Sequence, residues 1–207
     1  MDNVLIWDLP TRIGHWMLVV LFVLSYLTGD SESWRLVHVV AGSAMGGVLI
    51  FRVFWGVAGT RFARFSSFLF APRQVYAYLA ALVQRKPIYW MGHNPAGGYS
   101  IIVMLSLGLA VVGSGLAVYF EVGGDSLERA HDVLSYSMLY VVGVHLLGVI
   151  VSSRMHQANL VRSMIDGHKQ GRRKRSRGEV PVGSTEIYWV FLLVGCAVTA
   201  GLLVMYI

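Results

Sequence analysis

Five long blocks of apolar residues constrain the fold of this chain more than any other feature of its sequence. Their only Asp, Glu, Lys or Arg residues are Arg52 and Asp132. Blocks of about 20 residues match the roughly 30 Å hydrocarbon core of a bilayer, because a helix rises 1.5 Å per residue. The blocks lack the alternation of a membrane β-barrel, so we predict an all-α integral membrane protein. The five predicted helices cover residues 13–28, 36–58, 99–120, 131–152 and 187–207.

The positions of the basic residues predict how these helices are oriented. Residues 58–98 contain five Lys or Arg and no acid, and residues 153–186 contain eight, whereas the connections 29–35 and 121–130 contain two Lys or Arg and five acids. Because cytoplasmic loops are enriched in Lys and Arg, we expect a cytoplasmic N-terminus, with the two acidic connections and the C-terminus on the outer side of the membrane. A basic loop under a bilayer also explains the run GRRKRSRG, so we predict no nucleic-acid partner.

Four of the seven histidines lie in or at the mouth of apolar blocks: His15, His38, His131 and His145. Ionisable residues at membrane depth are costly and by default functional candidates. His131, expected in the first turn of its helix, precedes His145 by fourteen residues, which is about 21 Å along the helix and about 40° around it. This spacing predicts two pairs at two depths, His38 with His131 near the outer face and His15 with His145 near the inner face.

Two imidazoles at each depth favour haem iron, which takes two axial ligands. Zinc and copper sites use three or four ligands, and helix bundles hold cofactors between facing helices. Cys196 is the only cysteine and no Cys-x-x-Cys-His motif occurs, which excludes covalent haem and a four-cysteine iron–sulfur cluster. We therefore predict two non-covalent haems b. Arg52, fourteen residues after His38, and Arg12, one turn before His15, could pair with haem propionates or extend to lipid phosphates.

The chain resembles the bacterial cytochrome b561 family in the segments WDLPTRIGHW, VHVVAGSAMGGVLIFRVFWG, GHNPAGG and ERAHDVLSYSMLYVVGVHLLGVIVSSRMHQANLVRSMIDG. This family of dihaem b-type cytochromes includes subunits of membrane hydrogenases and formate dehydrogenases. The resemblance implies a four-helix haem-binding bundle over residues 1–169, in which the same two histidine pairs bind the haems. Residues 170–186 then form a basic cytoplasmic linker and residues 187–207 an extra C-terminal transmembrane helix. His93, in GHNPAGG, is expected to be a loop residue.

The resemblance implies electron transfer across the membrane, between a redox partner and the quinone pool, as a subunit or docking partner of a larger redox system. The acidic outer connections favour a periplasmic partner such as a c-type cytochrome. The alternative is a self-contained superoxide:quinone oxidoreductase, which would need a cationic approach to the outer haem. An ion carrier would need acids within the spans, where only Asp132 occurs.

Two further segments give weaker predictions. In the fifth block, the small-residue pairs Gly195 with Thr199 and Ala197 with Gly201 favour close helix packing, in a homodimer or with another subunit; the alternative is a helix that faces lipid. Residues 75–82 place Val75, Tyr76, Leu79 and Leu82 at helical spacing, which predicts a helix in the cytoplasmic interface.

Overall fold

The computed structural model describes residues 2–86, 88, 90, 92–171 and 185–206. Five helices in these residues are long and apolar enough to cross a membrane, so the predicted all-α membrane architecture is confirmed. The basic run at residues 172–175 lies outside the described residues. The elements are β1 (Asp2–Leu5), α1 (Leu9–Thr28), α2 (Arg35–Ala58), α3 (Pro72–Val83), α4 (Pro95–Tyr119), α5 (Gly124–His156), α6 (Leu160–Asp166), β2 (His168–Gly171) and α7 (Thr185–Tyr206); the five membrane helices are α1, α2, α4, α5 and α7.

The membrane helices α1 and α4 begin at capped turns outside the apolar blocks. The Asp8 side chain accepts a hydrogen bond from the Thr11 amide, and the Asn94 side chain accepts one from Gly97. Each cap is followed within two residues by a proline, which suits the first helical turn because it has no amide hydrogen to satisfy. Both helices therefore start four residues before the predicted spans.

Helix α5 is also longer than its apolar block. It begins at Gly124, directly after Gly123 in the left-handed region with φ of 86°, and so precedes His131 by seven residues. The expectation that His131 lies in the first turn was wrong, because two polar turns extend the helix beyond the apolar segment. The fourteen-residue spacing to His145 is unaffected.

Helix α7 packs against α2 and, to a lesser extent, α1 of the same chain. Leu193 is completely buried in this contact, beside Val48 of α2. A Cβ atom on Gly47 would lie 2.3 Å from the carbonyl oxygen of Cys196, so the two backbones touch. Of the two predicted small-residue pairs, Ala197 and Gly201 are buried and Gly201 lies against α2, whereas Gly195 and Thr199 are exposed.

A two-stranded antiparallel sheet joins the start of the chain to the segment after α6. Asp2 pairs with Gly171 and Leu5 with His168, and the amides of Ile6 and Trp7 both donate to the Gly167 carbonyl oxygen. Gly167 has φ of 83°, a conformation that glycine adopts at little cost. The sheet brings the entry to α1 and the exit from α5 to the same side of the bundle, and the expected boundary at residue 169 falls within β2.

Helix α3 presents an exposed apolar face made by Tyr76, Leu79 and Val83. Tyr78 points the other way and is 2% exposed. An amphipathic helix flanked by basic residues is typical of the membrane interface.

Candidate functional site

His38 and His131, the pair predicted near the outer face, come together between α2 and α5. We call the end of the bundle that holds this pair the outer end, and the end that holds His15 and His145 the inner end. The ring centroids of His38 and His131 lie 6.4 Å apart, with ring planes at 88°. Imidazole nitrogens bind transition-metal ions at about 2 Å, so two imidazoles on opposite sides of one ion hold their ring centres about 6 Å apart. The separation would therefore allow both imidazoles to bind one haem iron.

Hydrogen bonds orient both rings for this role. His38 Nδ1 lies 2.8 Å from the Ser25 carbonyl oxygen, and His131 Nδ1 lies 3.1 Å from the Val111 carbonyl oxygen. A carbonyl oxygen only accepts hydrogen bonds, so Nδ1 carries the proton in each ring. The Nε2 lone pairs remain for a metal, as in metal sites where a backbone carbonyl fixes the histidine tautomer.

Helix α4 is shaped to receive His131. A Cβ atom on Gly115 would lie 2.9 Å from His131 Cε1, so only glycine leaves room for the ring in this position. The Ser114 hydroxyl lies 3.0 Å from His131 Nδ1 and itself donates to the Val111 carbonyl oxygen. Neither α4 residue stands out in the sequence, because neither is a metal ligand.

The inner pair is formed by α1 and α5. His145 lies close enough to His15 for their charges to interact. The His15 Nδ1 atom is buried and has no hydrogen-bond partner among the described residues, and Trp16 packs edge-on against the ring at 5.3 Å between centroids. Because α1 packs mainly on α2 and α5 mainly on α4, the two histidine pairs join the two halves of the bundle.

The two arginines predicted near propionates have different surroundings. Arg52 donates one hydrogen bond to the Ala63 carbonyl oxygen and lies over the Phe65 ring, and its other terminal nitrogen is buried without a partner in the described chain. Arg12 donates to the Ile165 carbonyl oxygen at 2.6 Å, and its Nε atom is likewise unsatisfied. Both keep a buried donor for an acidic group.

Two features on this inner side were missed by the sequence argument. Asp8, only 4% exposed, accepts hydrogen bonds from the Thr11 amide, the Trp55 indole at 3.0 Å and the Thr60 hydroxyl. This carboxylate ties the start of α1 to the end of α2. An Asp two residues before a proline signals an N-cap, but its long-range partners have no local signal.

The second feature is the surroundings of His93, which lies between the Trp7 and Phe68 rings at 4.4 and 4.6 Å. Part of the residue reaches the surface, but Nδ1 is buried without a partner in the part of the chain that the structure describes. Burial, together with the charges of Arg52 and Lys169, lowers the pKa of His93 to about 3. Burial also lowers the pKa of Lys169, which donates to the Trp90 carbonyl oxygen, to about 8.

The four membrane histidines suit haem better than they suit an isolated metal ion. The described residues contain no group of three or more His, Cys, Asp or Glu that could hold a metal, whereas two facing imidazoles are the donor set of a low-spin haem. Among the described residues, most of the buried side-chain N and O atoms without a hydrogen-bond partner lie at the inner end. They belong to Thr11, Arg12, His15, Arg52, Trp90 and His93.

Comparison with known proteins agrees with this assignment. Residues 6–167 match the family model described as prokaryotic cytochrome b561, and no solved structure matches the chain. Its relatives include three proteins named as probable Ni/Fe-hydrogenase B-type cytochrome subunits; the name of the Escherichia coli protein specifies hydrogenase 1. The protein from Rhizobium leguminosarum bv. viciae is 26% identical, over 81% of this chain and 89% of the relative. Those from Bradyrhizobium diazoefficiens and Escherichia coli K12 are each 23% identical, over 82% and 81% of this chain and 87% and 92% of the relatives.

The family match covers α1 to α6 and therefore all four membrane histidines, while α7 lies beyond it. The match agrees with the paired histidines and with the five helices of the described residues that are long and apolar enough to cross a membrane. The chain belongs to the prokaryotic cytochrome b561 family and is a multi-pass membrane cytochrome that binds haem b and transfers electrons.

Proposed function

We propose that this cytochrome holds two haems b, one between His38 and His131 and one between His15 and His145, and serves as the membrane subunit of a larger redox complex. It connects a redox partner on the periplasmic side with the quinone pool. Haem iron with two imidazole ligands supplies one-electron exchange without an open coordination site. The protein holds the four rings, excludes water from them and places buried cations at the inner end.

The geometry of the outer pair carries this proposal. His38 and His131 come from different helices, face each other at 6.4 Å and both direct Nδ1 to a carbonyl oxygen. A histidine that only fills space in a core, with its ring nitrogens hydrogen-bonded, does not need a second histidine facing it at the same depth. On α5, His145 follows His131 by fourteen residues and lies near His15, which supports a second pair at the other depth.

The names of the relatives support a partner of the nickel–iron hydrogenase class. A periplasmic c-type cytochrome is the other candidate partner. Acidic residues surround the outer end, among them Asp30, Glu32, Glu121, Asp125 and Glu128, and they favour a partner with a basic docking surface. The same charges repel superoxide, so they disfavour the superoxide:quinone oxidoreductase alternative. We propose that the protein lies in the bacterial inner membrane with its N-terminus in the cytoplasm.

Counting haems in variants tests the proposal. We expect the purified protein to contain two haems b per chain, and His131→Ala and His145→Ala to contain one each, measured by pyridine haemochrome against protein concentration. His168→Ala is the control, because the His168 side chain is exposed and its hydrogen bond in the described residues is to the nearby Asp166 carbonyl oxygen. Two haems retained in either membrane variant, or a single haem in the unmodified protein, would contradict the proposal.

A further inference from the structure

A long groove runs along the outside of the bundle between α1 and α7, with α2 as its floor. Its volume is about 770 Å³, and its walls are almost entirely apolar. We call it the lateral groove and define it by Arg12 and Trp16 at one end, Val40 and Met205 at the other, and Ala44 and Val198 between them. It follows α1 from Leu9 to Leu21, which is about 18 Å at 1.5 Å per residue.

The size and lining of the groove suit a small amphipathic molecule. Ligand sites in proteins measure about 300–1,000 Å³ and combine an apolar lining with a few polar groups. Here the polar groups lie at the inner end. Arg12 donates to the Ile165 carbonyl oxygen and the Trp16 indole to that of Met164, and the buried Arg12 Nε has no partner within the described residues. A ligand with a polar head and a long apolar tail would place its head there.

The inner end also adjoins the redox centre. Trp16 lines the groove and packs edge-on against His15, with 5.3 Å between ring centroids. A head group beside Trp16 is therefore separated by one side chain from a proposed axial ligand of the inner haem.

We propose that the lateral groove is a binding site for an isoprenoid quinone, with the ring at Arg12 and Trp16 and the prenyl tail between α1 and α7. This inference rests on the proposed function, since it supplies the place where the quinone exchanges electrons with the inner haem. Reduction of the quinone to the hydroquinone takes up two electrons, delivered singly through that haem from the redox partner, and two protons from cytoplasmic water. Because the family match ends at residue 167, α7 adds a wall of the site that the matched segment does not contain.

Filling the groove from α7 tests the site. Val198 lines the groove and Val194, one turn earlier on α7, does not; both are partly exposed. Val198→Trp should therefore obstruct the groove, and Val194→Trp is the matched control. Leu202→Trp and Leu203→Trp form a second pair on α7, in which Leu202 lines the groove and Leu203 does not, so that the test does not depend on one variant folding.

The probe is a photoreactive short-chain ubiquinone, applied to the haem-loaded protein in vesicles of phosphatidylethanolamine and phosphatidylglycerol. We expect the label on peptides of α1 and α7, competition by decylubiquinone, and at least tenfold weaker labelling in Val198→Trp and Leu202→Trp, with unchanged haem spectra. The two control variants should label like the unmodified protein.

Three outcomes would overturn the site. Labelling of other helices that is unaffected by Val198→Trp and Leu202→Trp, while decylubiquinone still oxidises the reduced haems, would place the quinone elsewhere and leave the proposed function intact. Labelling in the groove that phospholipid displaces and decylubiquinone does not would make it a lipid site only. If decylubiquinone fails to oxidise the reduced haems of the unmodified protein, the proposed function falls together with the site.

Discussion

The close contact between α2 and α7 requires glycine at position 47. A Cβ atom at this position would lie 2.3 Å from the Cys196 carbonyl oxygen, 2.7 Å from its carbon and 3.0 Å from Ala197 Cα. All three are backbone atoms, which cannot move aside as a flexible side chain can. In Gly47→Ala, therefore, α7 must shift as a whole, and the burial of Leu193 against α2 is weakened.

The change in the free energy of unfolding caused by Gly47→Ala follows from two opposing effects. Overpacking of a well-packed contact costs about 1–3 kcal/mol, while Gly→Ala in a helix gains up to about 1 kcal/mol in helix propensity. Gly113→Ala isolates the second effect, because Gly113 lies within the membrane helix α4 and has no other group within 4 Å of its Cβ position. The difference between the two variants is thus the cost of the clash.

We expect Gly47→Ala to unfold at a temperature about 2–12 °C below Gly113→Ala, because the clash costs about 1–3 kcal/mol and each kcal/mol is worth about 2–4 °C for a chain of this size. Haem absorbance and near-ultraviolet circular dichroism of the protein in detergent measure both midpoints. Cross-linking of cysteines introduced in α2 and α7 reports whether the two helices separate. Equal midpoints, together with no cross-link between α2 and α7 even in the protein with Gly47, would show that α7 does not pack on α2, and the fifth helix would then be free to dock on another subunit.

Three further predictions address the inner side and the outer turns. Asp8→Ala should destabilise the protein by about 2–4 kcal/mol, because it removes a helix cap and leaves the buried Trp55 indole unpaired; thermal unfolding beside Asp8→Asn, which keeps one cap oxygen, measures this. His93 has a depressed pKa of about 3, so its contribution to stability is complete above about pH 6.5 and lost as the pH falls towards 3. Lowering the pH from 7.5 to 5 should thus reduce the free energy of unfolding of the unmodified protein by up to about 2 kcal/mol more than that of His93→Phe. Thermal unfolding at the two pH values measures this difference. Electron transfer from a basic partner at the acidic outer turns should slow as ionic strength rises, and stopped-flow rates that do not depend on salt would count against docking there.

Much of the bundle could be predicted from the sequence because it depends on patterns along the chain. The apolar blocks determine the membrane helices, and the fourteen-residue spacing of His131 and His145 fixes one face of α5 whatever its neighbours are. The same helical arithmetic assigned depths to His15 and His38, and the structure brings His38 to His131 and His15 near His145.

The remaining features depend on contacts between distant segments. The stacking of His93 on Trp7 joins two loops, and no periodicity marks either residue. Small residues in the fifth block signalled close packing, but only the position of Gly47 on another helix decides that the partner is α2 of the same chain. Helix ends were also misjudged, since the caps at Asp8 and Asn94 lie outside the apolar pattern.

If the two proposed haem sites are both filled, the distribution of charge predicts how they differ in reduction potential. At the inner end, Arg52 and Lys169 are half-buried cations, whereas the outer connections hold five acids and two basic residues. Cations stabilise the electron-rich reduced state, so the inner haem should have the higher potential and electrons should run inward from the periplasmic side.

One charge at about 10 Å contributes about 1.7 kcal/mol at an effective dielectric constant of about 20, which is about 70 mV for one electron. Arg52→Gln should therefore lower the midpoint of the higher-potential haem by about 50–100 mV in a spectroscopic redox titration. Arg162→Gln is the control, because Arg162 is exposed and pairs with Asp166 on α6. A shift confined to the lower-potential haem would reverse the assignment of the two sites, and no shift would show that Arg52 acts only through its hydrogen bond to Ala63.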